Sequence, residues 1–285
     1  MWQETVSIAG PYDFQLALDR LKLDPLNVVV QNKSVKVPLT IESKQIVIEV
    51  MGTGSLEKPQ FVVKGTEEKE QALQRLCEIF RWDVELTTIH KHFQETNLKL
   101  LFENHYGTPL ILDFDPFSSL LKCIIHQQLN LAFAHTLTER FMQTFGNEID
   151  GVWFYPTPEK VALIKVEQLR ELQFSARKAE YVIGIAELVT TGALNFNQMK
   201  QMTNEEISSE LIKIRGVGPW TVQNFLMFAL GRENLFPVAD IGLQNALRLY
   251  YNLEQKPTKA EMERFKEPWE PYLSYAALYL WRSIE

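Results

Sequence analysis

The sequence predicts an α+β protein: a small antiparallel sheet with two helices over residues 1–92, then a mainly helical domain over 93–285. Three observations carry this reading. Short β-rich runs fill the first ninety or so residues, separated by turn-like stretches such as Gln31-Asn32-Lys33-Ser34 and Gly52-Thr53-Gly54-Ser55. From about residue 91 the apolar residues recur at three-to-four spacing, the period of an amphipathic helix. No fixed-period repeat or low-complexity tract occurs, which excludes a solenoid.

Taken in order, strands are expected at Trp2–Ile8, Asn27–Val30, Ser34–Leu39, Gln45–Val50 and Gln60–Val63, where β-branched residues concentrate. Between them, Asp13 reads as the N-cap of a helix carrying Phe14, Leu16, Leu18 and Leu21. A second helix spans Glu67–Phe80, with Ala72, Leu73, Leu76, Cys77 and Phe80 on one face. Asp115-Pro116 is a strong helix start, an N-cap followed by proline at the first helical position. Leu131–Phe145 forms another helix, stopped by Gly146. Further helices fit Pro158–Ile164, Ala176–Thr190, Asn204–Ile214, Pro219–Leu230, Ile241–Tyr251, Lys259–Phe265 and Pro271–Ser283.

With 285 residues, 46% of them hydrophobic and 23% charged, the chain can bury a core without staples. No apolar run approaches a membrane span and no signal peptide opens the chain, so a cytoplasmic, monomeric protein with no membrane partner is expected. Cys77 and Cys123 lie far apart in apolar stretches and read as buried thiols in a reducing compartment. A net charge of −7 argues against a generic nucleic-acid coater. It leaves room for a protein that grips a few phosphates through backbone amides.

Residues 211–221 suggest such a grip. Gly216-Val217-Gly218 lies between two helical patterns, and its glycines permit positive φ and a close backbone approach. The second helix begins at once with Pro219, so its free N–H groups and positive dipole end suit an anion. Lys213 and Arg215 flank the turn and can add charge. By itself such a turn also suits a plain corner between two helices.

The wider pattern is more specific. Gly216-Val217-Gly218-Pro219-Trp220-Thr221, followed by Pro237-Val238-Ala239-Asp240 and Ile241-Gly242-Leu243, resembles the helix-hairpin-helix–Gly/Pro-Asp superfamily of DNA base-excision glycosylases. The resemblance implies two helical lobes with an active site between them, and it puts Asp240 at the catalytic aspartate. The same residue reads as a helix N-cap, where the positive end of the helix dipole favours a carboxylate's charge. Bifunctional members carry a lysine at the position of Trp220; without that amine no Schiff base forms there. Iron–sulfur branches need four cysteines after the aspartate, whereas none follows Cys123. What remains is the monofunctional branch that removes alkylated bases, leaving an abasic site.

Pro11-Tyr12-Asp13-Phe14, Ile124–Asn130 and Trp269–Trp281 resemble the DNA-3-methyladenine glycosylase II (AlkA) type within that superfamily. This implies a base pocket with Trp281 on the wall opposite Asp240, joined by Trp220 and Tyr279. Asn224 and Ile241 stand where some relatives place pocket aromatics. It implies a duplex wedge at Gln128 or Leu129, beside Gln127, and a smaller backbone-contacting turn at Phe174–Ala179 with Arg177 and Lys178. Gly216, Val217, Gly218, Pro219 and Thr221 would complete the DNA contacts. The expected partner is double-stranded DNA containing alkylated bases.

Neither a cofactor nor a catalytic metal is expected. His90 and His92 read as a surface pair, and His105, His126 and His135 lack ligand spacing. The hairpin carbonyls of Ile212, Ile214 and Val217 could hold a monovalent ion, by analogy with hairpins of this type. Two other readings stay open: a glycosylase for oxidised or deaminated bases, and a non-catalytic binder of damaged DNA.

Overall fold

The computed structural model describes residues 1–24 and 26–284. In chain order the elements are β1 (Trp2–Ser7), α1 (Phe14–Leu21), β2 (Val29–Gln31), β3 (Ser34–Ile41), β4 (Lys44–Gly52), β5 (Gln60–Gly65), α2 (Lys69–Phe80), α3 (Leu86–Phe93), α4 (Lys99–Asn104), α5 (Pro116–His126) and α6 (Leu131–Phe145). There follow β6 (Asn147–Ile149), β7 (Val152–Phe154), α7 (Pro158–Ala162), α8 (Val166–Glu171), α9 (Ala176–Thr190), α10 (Phe196–Met199) and α11 (Asn204–Leu211). The chain closes with α12 (Pro219–Phe228), α13 (Ile241–Tyr250), α14 (Lys259–Lys266) and α15 (Leu273–Arg282). The α+β architecture therefore matches the sequence expectation. The short hairpin β6–β7 and the helices α3, α4, α8 and α10 go beyond the sequence expectation; α3, α4 and α8 lack the side-chain N-cap bond that marks equally short helices such as α1 and α7.

β1 to β5 form one antiparallel sheet in the order β1-β5-β4-β3-β2. Its register follows from alternation. Pairing Val37 with Ile48 and Val35 with Val50 puts four buried apolar side chains in facing positions. At α5, Asp115 accepts Ser118 N–H at 2.7 Å and Pro116 needs no donor, the start that the sequence announced. Asn130 caps α6 in the same way, accepting Phe133 N–H at 2.9 Å.

Two cores result. In one, the sheet and α2–α4 share an interior with α13 and α15, through Val37, Phe61, Phe80, Phe93, Leu247 and Tyr275. The other fills the space among α5–α12, with Leu121, Phe141, Val182 and Phe225 at its centre. The chain thus returns to its N-terminal sheet after building the second core. The loop before α13 and the start of α12 lie where the two bodies meet. No helix among the described residues is long and apolar enough to cross a membrane.

Candidate active site

Asp240 caps α13, and its carboxylate receives three donors. Oδ1 accepts Leu243 N–H at 2.8 Å and the Trp281 indole N–H at 2.9 Å. Oδ2 accepts the Trp220 indole N–H at 2.9 Å. The local sequence builds this arrangement. Pro237 O accepts Asp240 N–H at 2.8 Å, a tight reversal that delivers the cap in extended conformation. Gly242 leaves room for the second indole: a Cβ there would lie 3.1 Å from Oδ1 and 3.3 Å from the Trp281 nitrogen. Three donors fix the carboxylate's orientation while Oδ2 keeps an unused lone pair.

Trp281 does not stand across a pocket from Asp240, as expected from the sequence. It touches the carboxylate directly and lies near Phe228, with ring centroids 6.1 Å apart. The aromatic wall is supplied by Trp220, which lines a cleft of about 210 Å³ with Asn224 and Phe228 of α12. Asn224 donates to Trp220 O at 2.9 Å, which steadies that wall. Lys122 and His126 of α5 line the same cleft, as do His135 and Glu139 of α6. Asp113 and Thr138 also line it, as do Arg20 and Asp24, from α1 and the turn after it. These residues were missed because nothing local in α1 signals that it reaches a site two hundred residues away.

The floor of the cleft is polar. Lys122 Nζ pairs with Asp113 Oδ1, and Ser119 Oγ donates to Asp113 Oδ2 at 2.6 Å. Burial opposes the charged form of Asp113, but Lys122 and Arg20 outweigh it, so this carboxyl lies below its usual range. Burial pushes the Asp24 carboxyl up. His126 has a defined tautomer. Thr138 Oγ1 donates to Ala134 O at 3.0 Å, so it accepts from His126 Nε2–H at 3.1 Å, leaving Nδ1 as an acceptor. Burial, with the charge of Lys122, lowers the His126 pKa to about 3, which keeps that ring neutral.

The hairpin between α11 and α12 forms as expected. Gly216 has φ +91°, and a Cβ there would sit 2.3 Å from the Tyr181 ring, so only glycine fits. Gly218 is open: a Cβ built on it meets nothing within 4 Å. No side chain caps α12, so the amides of Trp220 and Thr221 keep their N–H groups for an incoming anion. Lys213 and Arg215 are exposed beside the turn, paired with Glu210 at 2.7 Å and Glu180 at 2.9 Å. Val217 is buried and anchors the turn. Of the three carbonyls considered for a cation, that of Ile214 accepts Val217 N–H at 3.0 Å.

Several expected contacts are internal. The Thr221 hydroxyl is buried and accepts from Gln127 Nε2 at 2.7 Å, so it cannot reach DNA. Gln127 is occupied by that bond and by Gly216 O. Lys178 Nζ is turned inward onto the carbonyls of Ile125 and Gln127. Gln128 is the exposed tip of its loop, with φ +57°, whereas Leu129 packs against the helical core. Arg177 and Ile241 are exposed.

Tyr279 is not in the cleft. It is fully buried, stacks on Phe102 with centroids 3.8 Å apart, and its hydroxyl accepts Thr108 N–H at 3.1 Å. The tyrosine lies two residues before Trp281, about 200° around the same helix, and so faces the core. His90 is likewise no surface residue: only 4% exposed, it accepts Gly107 N–H at 3.0 Å and contacts the Tyr279 hydroxyl. Among the described residues no cluster of histidine, cysteine and carboxylate could hold a metal.

Known proteins resemble this chain in sequence and in fold. Residues 121–271 match the family described as HhH-GPD superfamily base excision DNA repair protein. Over 287 residues, the whole of both chains, the sequence is 50% identical to the putative DNA-3-methyladenine glycosylase YfjP of Bacillus subtilis. A solved 3-methyladenine DNA-glycosylase from Archaeoglobus fulgidus has the same fold, with a TM-score of 0.88 at 23% identity, covering 99% of this chain and 97% of that one. The Schizosaccharomyces pombe 3-methyladenine DNA glycosylase Mag1, solved with abasic DNA, gives a TM-score of 0.62 at 29% identity, covering 69% and 96%.

Proposed function

The chain belongs to the HhH-GPD superfamily of base excision DNA repair proteins, and we propose that it is a monofunctional DNA glycosylase that releases alkylated purines from double-stranded DNA. The observation that carries this reading is the carboxylate of Asp240, aimed by two indoles, one of which also walls the adjoining cleft.

A base within the stack is out of reach, so the nucleotide must be extruded, at a cost of a few kcal/mol. The amides following Gly218 hold a backbone phosphate, and Lys213, Arg215 and Arg177 add charge around it. The carbonyls of Ile212, Ile214 and Val217 would hold a monovalent cation behind the turn. Gln128, at its exposed tip, fills the gap left in the duplex. The base enters the cleft against Trp220, near Phe228 and Asn224.

Alkylation at N3 or N7 places positive charge on a purine and weakens its glycosidic bond. The π-face of Trp220 favours such a cation by about 0.5–2 kcal/mol. As the bond breaks, C1′ gains oxocarbenium character, and the spare lone pair on Oδ2 of Asp240 faces that charge. The carboxylate then orients the attacking water or takes its proton. Trp220 offers no amine, so the products are free base and an intact abasic site.

The YfjP relationship supports the substrate class, since that relative is named a putative DNA-3-methyladenine glycosylase. The test is chromatography of bases released from methylated, deaminated and oxidised duplexes. Release of 3-methyladenine or 7-methylpurines from the first, well above release of hypoxanthine or 8-oxoguanine from the others, is expected. Release of the neutral damaged bases alone would contradict the proposal.

A further inference from the structure

The loop between α5 and α6 is clamped from two sides just before its exposed tip. From one side, Gln127 Nε2 uses both hydrogens, donating to Gly216 O at 2.9 Å and to Thr221 Oγ1 at 2.7 Å. Those acceptors straddle the hairpin turn and the first turn of α12. From the other, Lys178 in the first turn of α9 donates to Ile125 O and, at 2.7 Å, to Gln127 O. The next residue is Gln128, exposed and left-handed at φ +57°. The loop then leaves through Leu129, which packs on the helical core, and Asn130, which caps α6.

This is an unusual use of a cation. The protein carries a net charge of −7, so each lysine near the DNA face counts toward phosphate contact. Yet Lys178 is turned inward, and burial lowers its pKa to about 8. Fixing the loop therefore has a value that offsets the lost phosphate contact. The bond to Gly216 O ties that loop to the very turn whose amides face a phosphate.

We propose that Gln127 is a positioning residue that fixes the wedge tip Gln128 at a set distance from the phosphate-holding turn, with Lys178 as the second anchor of the same loop. The proposal rests on the glycosylase reading above. Holding the phosphate at one end and the wedge at the other makes entry of the tip and displacement of the nucleotide one motion. Without the tether the hairpin still binds and Asp240 still acts, but the tip enters the duplex out of register. Extrusion suffers and bond cleavage does not.

The experiment compares single-turnover release of one methylated purine from two duplexes. In the first the lesion faces its normal partner; in the second it faces a mismatch, where unstacking is already partly accomplished. Gln127→Ala and Gln127→Glu (similar in shape but without the donors) should lose about tenfold in rate on the paired lesion, as expected for loss of a hydrogen-bonded tether. On the mispaired lesion the loss should be under about threefold, and Gln128→Ala should show the same pattern. Lys178→Met should follow it more weakly. With folded enzyme in saturating excess over the DNA, the rate constant does not depend on the folded fraction, which a doubled enzyme concentration giving the same rate verifies. An equal loss on both duplexes, or none on either, would overturn the tether. A wild-type protein that releases no methylated base from either would instead overturn the glycosylase reading.

Discussion

The indole N–H of Trp220 donates a 2.9 Å hydrogen bond to Oδ2 of Asp240, from twenty residues earlier in the chain. This bond joins the first turn of α12, just after the hairpin, to the N-cap of α13. It also makes one side chain serve two surfaces, since the same ring lines the cleft.

Replacing Trp220 by Phe keeps a π-face in the cleft and removes the donor. A hydrogen bond to a charged group contributes about 1.5–3 kcal/mol, so the single-turnover rate should fall by roughly ten- to a hundredfold. Trp281→Phe should fall in the same range, because it removes the second indole donor to the same carboxylate. Lesion binding should change little in either variant. Rate constants and affinities measured side by side check this, and a loss confined to affinity would contradict it.

Borohydride should trap no covalent complex between the protein and lesion-bearing or abasic DNA. Position 220 holds an indole, and the amine of Lys178 is tied to backbone carbonyls. Denaturing gel electrophoresis after reduction checks the prediction. A shifted band would show that another amine attacks the sugar.

The two hairpin glycines should separate by property. Gly216→Ala forces a Cβ against the Tyr181 ring at φ +91°, and should cost about 1–3 kcal/mol of stability. Gly218→Ala meets nothing in the protein, so stability should change by about 0.5 kcal/mol or less. It should nonetheless weaken DNA binding about tenfold, equivalent to about 1.4 kcal/mol, by standing where a phosphate approaches. Urea unfolding and fluorescence anisotropy measure the two effects, and equal affinity for Gly218→Ala and wild type would remove the hairpin from the DNA contact.

Stability should fall between about pH 6.5 and pH 4. Burial lowers the pKa of His90 to about 4 and that of His126 to about 3, so both stay neutral in the folded protein. In the unfolded chain they titrate near 6.5, so below that pH the unfolded state binds more protons. Their contribution is therefore intact above pH 6.5 and lost as pH falls toward the folded values. Urea midpoints at pH 7, 6 and 5 should decline, with a shallower decline in His126→Asn. A flat profile in the wild type would contradict the buried, neutral assignment.

Much of this molecule was legible from local signals. Asp115-Pro116 announced α5, and Asp240 was readable as the N-cap of α13, the carboxylate on which the proposed mechanism turns. Gly216 and Gly218 marked the turn, although only packing against Tyr181 distinguishes the glycine that must be small from the one that is open. What sequence could not supply was orientation. Tyr279 and Trp281 lie two residues apart on α15, and the core claims the first while Asp240 claims the second. Thr221, Gln127 and Lys178 are polar residues at or beside the hairpin proposed to face DNA, yet their polar atoms satisfy one another and the backbone. Arg20 and Asp24 were invisible because they reach the cleft through tertiary packing alone. Gly242 was the one available hint that a bulky group approaches Asp240.

The most direct test of the account is single-turnover base release by Asp240→Asn on methylated duplex DNA, paired with its affinity for the same lesion. The amide keeps an acceptor oxygen for the Leu243 N–H cap and loses the negative charge. Release should drop to background, at least a thousandfold by analogy with loss of a main electrostatic stabiliser, about 4 kcal/mol or more, while lesion affinity stays within about threefold. Release at the wild-type rate would contradict the assignment of Asp240 and, with it, the mechanism built around its two indole donors.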